Sequence, residues 1–138
     1  MILVLPIHLR SLSITDCQVV DGEVLESITQ RCPHIRYLDL EGCKNIIAIP
    51  ENMKNLKMAS FQRTGIDNKG LELLGQSSGS SLLKLDLRGS QNFTKIPDTM
   101  TALQEVDLSE TNISDEGLQL LGKGSGKSLV KLDLIDSQ

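Results

Sequence analysis

The residues with the strongest chemical potential lie between Gly122 and Ser128, in "GKGSGKS". Glycines ahead of a Gly-Lys-Ser triplet are what a phosphate-cradling loop uses, with Lys127 on the phosphates and Ser128 on a magnesium ion. Such a loop also needs a glycine five positions before the Gly-Lys pair, where this chain has Leu121. It further needs the order strand, loop, helix, so that N–H groups at a helix N-terminus face the anion. Here the pattern runs from helix to loop to strand. The corresponding stretch 47 residues earlier, "GQSSGSSLLKLDL", holds the same frame with no lysine before its leucines. Gly122 therefore reads as the end of a helix, and the Gly/Ser run after it as a flexible link.

The remaining candidates for chemistry are few. His8 and His34 stand 26 residues apart, each just before a predicted strand. A metal centre would need a further ligand, for which Cys32 is the nearby choice. The expectation is two exposed histidines, with no metal and no cofactor. No Ser/His/Asp arrangement assembles, so no catalytic residues are assigned and an enzyme is not expected. Cys17, Cys32 and Cys43 are an odd set, which suits reduced intracellular thiols better than a disulfide framework.

Composition narrows the class. With 138 residues, 39% of them hydrophobic and 23% charged, the chain reads as a single soluble globular domain. Its apolar runs are too short to span a bilayer, so no membrane partner is expected. A net charge of −4 without a basic block argues against nucleic acid. "MILVLPIHLR" lacks a basic leader and is broken at Pro6, which favours the cytoplasm. The acceptor triplets Asn92-Phe93-Thr94 and Asn112-Ile113-Ser114 support the alternative, an extracellular or immune-receptor ectodomain.

The elements that must position these residues come from self-similarity. A leucine-x-x-leucine-x-leucine pattern begins at Leu9, Ile35, Leu56, Leu82, Leu103 and Leu129, at spacings of 26, 21, 26, 21 and 26. Long and short repeats alternate in a 47-residue unit that occurs nearly three times, at 9–55, 56–102 and, incomplete, 103–138. Between Gly70–Gln91 and Gly117–Gln138, 15 of 22 aligned residues are identical, as in a duplication. Each core reads as a short strand whose alternate residues point inward. A single strand buries too little, so the repeats must stack into a parallel sheet.

In the long repeats, a polar start and the pairs Leu25/Ile28, Leu71/Leu74 and Leu118/Leu121 predict helices of two or three turns. In the short repeats, "AIPENM" and "KIPDTM" place Pro50 and Pro97 where a helix would run, which predicts a turn or one 3₁₀ turn. Three residues past the last strand leucine stand Cys17, Cys43, Thr64, Ser90, Thr111 and Ser137, small residues able to hydrogen-bond the departing backbone.

These patterns resemble the leucine-rich repeat family over almost the whole chain. The resemblance implies an α/β solenoid, curved, with a parallel β-sheet on the concave face and short helices alternating with irregular or 3₁₀ turns on the convex face. It also implies that Cys17 and Cys43 pack and hydrogen-bond inside the turn as unreactive buried thiols. "RCPHIRYLDLEGC" is most similar to the cysteine-containing repeats of F-box/leucine-rich-repeat proteins, although Gly79 and Gly126 stand where those have Cys-Pro. That likeness implies substrate recruitment for a ubiquitin ligase.

A non-enzymatic module of this kind meets its partner on the concave face. The outward residues form three columns across the strands. The first is Ser11, Tyr37, Met58, Lys84, Glu105 and Lys131; the central one is Ser13, Asp39, Ser60, Asp86, Asp107 and Asp133. The third is Thr15, Glu41, Gln62, Arg88, Ser109 and Ile135. Six carboxylates face three cations, Lys84, Arg88 and Lys131, so a basic protein or peptide segment is the expected partner. Tyr37 with Met58 is the apolar anchor, and the three C-terminal aspartates of the central column are expected to point to solvent.

The ends have no caps. "MILVLP" falls where a preceding short repeat would connect, and Leu129, Leu132 and Leu134 would face solvent. The expectation is a piece of a longer protein that self-associates through its open ends when isolated.

Overall fold

The computed structural model describes residues 6–136. The expectations for "MILVLP" up to Leu5 and for Ser137 lie outside those residues. Six strands, each three residues long, form one parallel sheet in sequence order. They are β1 (Ser11–Ser13), β2 (Tyr37–Asp39), β3 (Met58–Ser60), β4 (Lys84–Asp86), β5 (Glu105–Asp107) and β6 (Lys131–Asp133). Adjacent rungs pair in register from Ser11↔Tyr37 through Glu105↔Lys131, an offset that follows the repeat spacing.

Three helices cover the long repeats: α1 (Gly22–Arg31), α2 (Asn68–Ser78) and α3 (Asp115–Ser125). Each starts on a polar cap: Asp21 accepts from Val24 N at 3.0 Å, Asp67 from Gly70 N at 2.9 Å and Ser114 from Gly117 N at 3.0 Å. Leu25, Ile28, Leu71, Leu74 and Leu121 are buried, and Leu118 packs against the same core. The short repeats have no helix and close with turns at Glu51–Asn52 and Asp98–Thr99. Proline there removes an N–H and crowds the preceding turn. Ile46, Ile49 and Met53 in one short repeat, and Phe93, Ile96 and Met100 in the next, fill the core in place of a helix face. The outer surface therefore alternates helix and turn.

α3 does not end at Gly122. It continues to Ser125, so the expected flexible link is helical up to its cap at Gly126. The extra turn is held by Ser125, whose buried hydroxyl donates to Met100 O at 2.6 Å and accepts from Leu103 N at 3.2 Å. Ser78 of α2 likewise donates to Met53 O. The end of α3 that adjoins Lys127 and Ser128 is its C-terminus, which presents carbonyls and not anion-binding N–H groups. Ser128 Oγ is itself engaged as a donor to Leu103 O at 2.8 Å.

Past each strand the chain enters the left-handed region at one fixed position: Asp16, Gly42, Arg63, Gly89, Glu110 and Asp136. Glycine at 42 and 89 also answers crowding, since a Cβ would lie 2.0 Å from Asp16 Oδ1 and 2.8 Å from Arg63 Cγ respectively. One residue later, the small polar side chains tie the turn in two ways. Cys43 Sγ and Ser90 Oγ reach the preceding repeat, donating to Ile14 O at 3.2 Å and Phe61 O at 2.6 Å. Thr64 and Thr111 donate to carbonyls of their own repeats, Phe61 O at 2.9 Å and Leu108 O at 2.6 Å.

At the C-terminal rung, Leu132 and Leu134 are 38% and 39% exposed, against 1% and 0% for Leu85 and Leu87 at the matching positions of β4. Leu129, expected to face solvent with them, is instead half-buried against the core.

Candidate functional site

The sheet register sets the three outward columns side by side. Tyr37 pairs with Met58, Met58 with Lys84, Lys84 with Glu105 and Glu105 with Lys131. The central column runs in parallel through Asp39, Ser60, Asp86, Asp107 and Asp133. All of these residues except Tyr37 line an open depression of about 300 Å³ on the strand face. Glu41 and Arg88 lie at its margin in the third column, where Ser109 is buried and its hydroxyl accepts from Ile135 N at 3.1 Å.

The central carboxylates are not the free, solvent-directed groups expected. All are half-buried, and three accept from the backbone N–H two residues on: Asp39 from Glu41 at 3.0 Å, Asp86 from Arg88 at 3.1 Å and Asp107 from Ser109 at 2.9 Å. Each fastens the bend that leads into the left-handed turn. Asp86 is held further by Gln62, whose amide donates to Oδ2 at 2.6 Å. Burial pushes the Asp86 carboxyl above the usual carboxylate range, and the charges of Asp107 and Glu41 push the same way. The hydrogen bonds from Arg88 and Gln62 oppose that rise.

The nearby cations are spent elsewhere. Lys84 pairs with Glu105 at 2.9 Å, which raises the lysine and lowers the glutamate from their ordinary values. Lys131 reaches Asp133 at 4.0 Å and Arg88 reaches Glu110 at 3.6 Å, while Arg63 pairs with Glu41. Among the described residues, no cation pairs with Asp39, Asp86 or Asp107. Between the first two of these, Ser60 Oγ is buried without a hydrogen-bond partner.

A family model described as "Leucine Rich repeat" matches residues 99–122, from the turn of the second short repeat into α3. Six in-register parallel rungs repeat the architecture of that stretch along the chain. The fold is that of a leucine-rich repeat solenoid. No curated protein matches it significantly.

In this leucine-rich repeat solenoid the other sequence candidates stay apart. His8 and His34 are exposed in turns, and Cys32 is buried with its thiol donating to Pro6 O at 3.3 Å. No cluster of three or more His, Cys, Asp or Glu side chains suited to a metal occurs among the described residues. Burial raises the Cys43 thiol above its ordinary range, whereas Cys17 is only half-buried and not the enclosed thiol expected. Asn92 and Asn112 are both exposed, and the Asn112 amide donates to Gln91 O at 2.9 Å. No helix among the described residues is long and apolar enough to cross a membrane.

Sequence reasoning missed Gln62 and Ser60 as members of the site. Gln62 carried a faint signal, since the duplicated units place Ser109 at its position. Ser60 interrupts a run of aspartates, and only packing shows that its hydroxyl is enclosed.

Proposed function

We propose that this leucine-rich repeat solenoid is a non-enzymatic interaction module whose concave sheet face docks a basic segment of a protein partner. The observation that carries the reading is the set Asp39, Asp86 and Asp107: half-buried carboxylates in one depression, without paired cations among the described residues. A partially desolvated negative field of this kind attracts a lysine or arginine side chain and steers its approach. The likeness of "RCPHIRYLDLEGC" to F-box/leucine-rich-repeat sequences supports substrate recruitment in the cytoplasm as the biological setting of such docking.

Titration with a fluorescent hexalysine peptide tests the reading. Binding should weaken steeply with salt, and Asp86→Asn with Asp107→Asn should weaken it at least fivefold. Asparagine keeps the oxygen that accepts from the backbone, so the bends survive while the charge is lost. Equal binding by the double variant would place the site on another surface.

A further inference from the structure

The strand face is not uniform across its rungs, and its two halves ask for different chemistry. On β2 and β3 the first column is apolar: Tyr37 is 49% and Met58 41% exposed, and the register sets them directly opposite. From β4 onward that column is charged, but both its lysines are engaged, Lys84 with Glu105 and Lys131 with Asp133. The uncompensated negative charge therefore lies in the central column, at Asp39 and, concentrated on adjacent rungs, at Asp86 and Asp107. Ser60, on the same rung as Met58 and directly beside Asp86 of the next rung, holds the enclosed hydroxyl without a partner.

We infer that the concave face reads a bipartite segment, in which one apolar side chain covers Tyr37 and Met58 and one or two basic side chains reach Asp86 and Asp107. This rests on the concave-face reading above and specifies its partner. Rungs lie about 4.8 Å apart and residues within a strand about 3.3 Å apart. Met58 and Asp86 are one rung and two residues apart, so about 8 Å separates them; Asp107, one rung further, lies about 12 Å from Met58. An extended chain advances about 3.3 Å per residue, so the apolar and basic residues of the partner stand two to four positions apart.

The Lys84–Glu105 pair borders the apolar half and favours this order over two adjacent hydrophobic contacts. A second hydrophobe placed on it would separate a hydrogen-bonded ion pair from water. A basic residue placed on Tyr37 would gain the ring face and the single carboxylate of Asp39, whereas one placed beyond Met58 meets the adjacent pair Asp86 and Asp107. The two halves thus select composition and spacing together.

The test uses fluorescent, extended peptides with one leucine and two adjacent lysines, separated by zero to eight serines, against a leucine-free dilysine peptide. Affinity should peak with one to three intervening serines and exceed that of the leucine-free peptide at least fivefold. Tyr37→Ser with Met58→Ser should abolish the peak, so that on this variant the leucine peptides bind no better than the leucine-free peptide; serine already occupies this column at Ser11. Should that variant misfold, the spacer series on the unaltered protein still decides. Salt-sensitive binding that ignores both leucine and spacer length would overturn the bipartite inference and leave basic docking standing. No binding of any lysine peptide would overturn both.

Discussion

The Gln62 side-chain amide donates to Asp86 Oδ2 at 2.6 Å, across neighbouring rungs of the sheet. That bond and the one from Arg88 N secure a carboxylate that its surroundings otherwise disfavour, because burial and the Asp107 charge both raise its pKa. A folded-state pKa above the unfolded value means that the folded protein binds the proton more tightly. Stability from this group is therefore fully present below the unfolded pKa and is lost as pH rises through the folded one. Asp86→Asn should accordingly stabilise the fold at pH 7 by about 0.5 kcal/mol, the scale of a like-charge pair across strands. Urea denaturation at pH 7 and pH 4 should show the gain shrinking in acid; an equal gain at both would locate the effect outside this titration.

Two glycines in α3 should respond to alanine in opposite directions. A Cβ at Gly117 would lie 2.2 Å from Thr94 O and 2.8 Å from Lys95 Cα, so Gly117→Ala must push the helix off the short repeat and cost about 1–3 kcal/mol. Gly122 has nothing within 4 Å of that position and is exposed inside the helix. Gly122→Ala should add about 0.5–1 kcal/mol. A loss of stability in Gly122→Ala would contradict the extension of α3 to Ser125.

Ser90 is placed to be among the costliest polar side chains to remove. Its hydroxyl donates to Phe61 O at 2.6 Å and accepts from Thr64 N at 3.0 Å, all buried. Ser90→Ala leaves the Thr64 N–H unsatisfied, while Phe61 O keeps its bond from Thr64 Oγ1, and should cost about 1–3 kcal/mol in denaturant midpoint analysis. Ser90→Cys should retain part of that, since Cys43 makes the corresponding bond to Ile14 O with sulfur. A cysteine variant no better than alanine would separate the two turns.

The thiols should label in sequence. Cys17 is half-buried, while Cys32 and Cys43 are buried and donate to backbone carbonyls. Iodoacetamide at neutral pH should modify Cys17 first and the other two only after unfolding, with peptide mass mapping as the readout. Early modification of Cys43 would show that its turn opens readily.

The rungs, their register and the alternation of helix with turn were legible in the residues, because each depends on local regularities. Leucines alternate with period two in the strands, apolar pairs three apart mark the helices, and Pro50 and Pro97 forbid others. Identical spacing between repeats then aligns Tyr37 with Met58 and Asp86 with Asp107. What only the tertiary structure decided depends on neighbours one repeat away. Gly122 was legible as a helix breaker, but Ser125 bonds to Met100 and Leu103 and carries α3 past it. Asp86 was legible as an outward carboxylate, but Gln62, 24 residues before it, and the bend at Arg88 draw it half into the surface. The choice of Glu105 as the partner of Lys84 belongs to the same level. A periodic sequence states which side chains share a face; the depth of each charge, and which charges cancel, follow from side chains brought together by stacking.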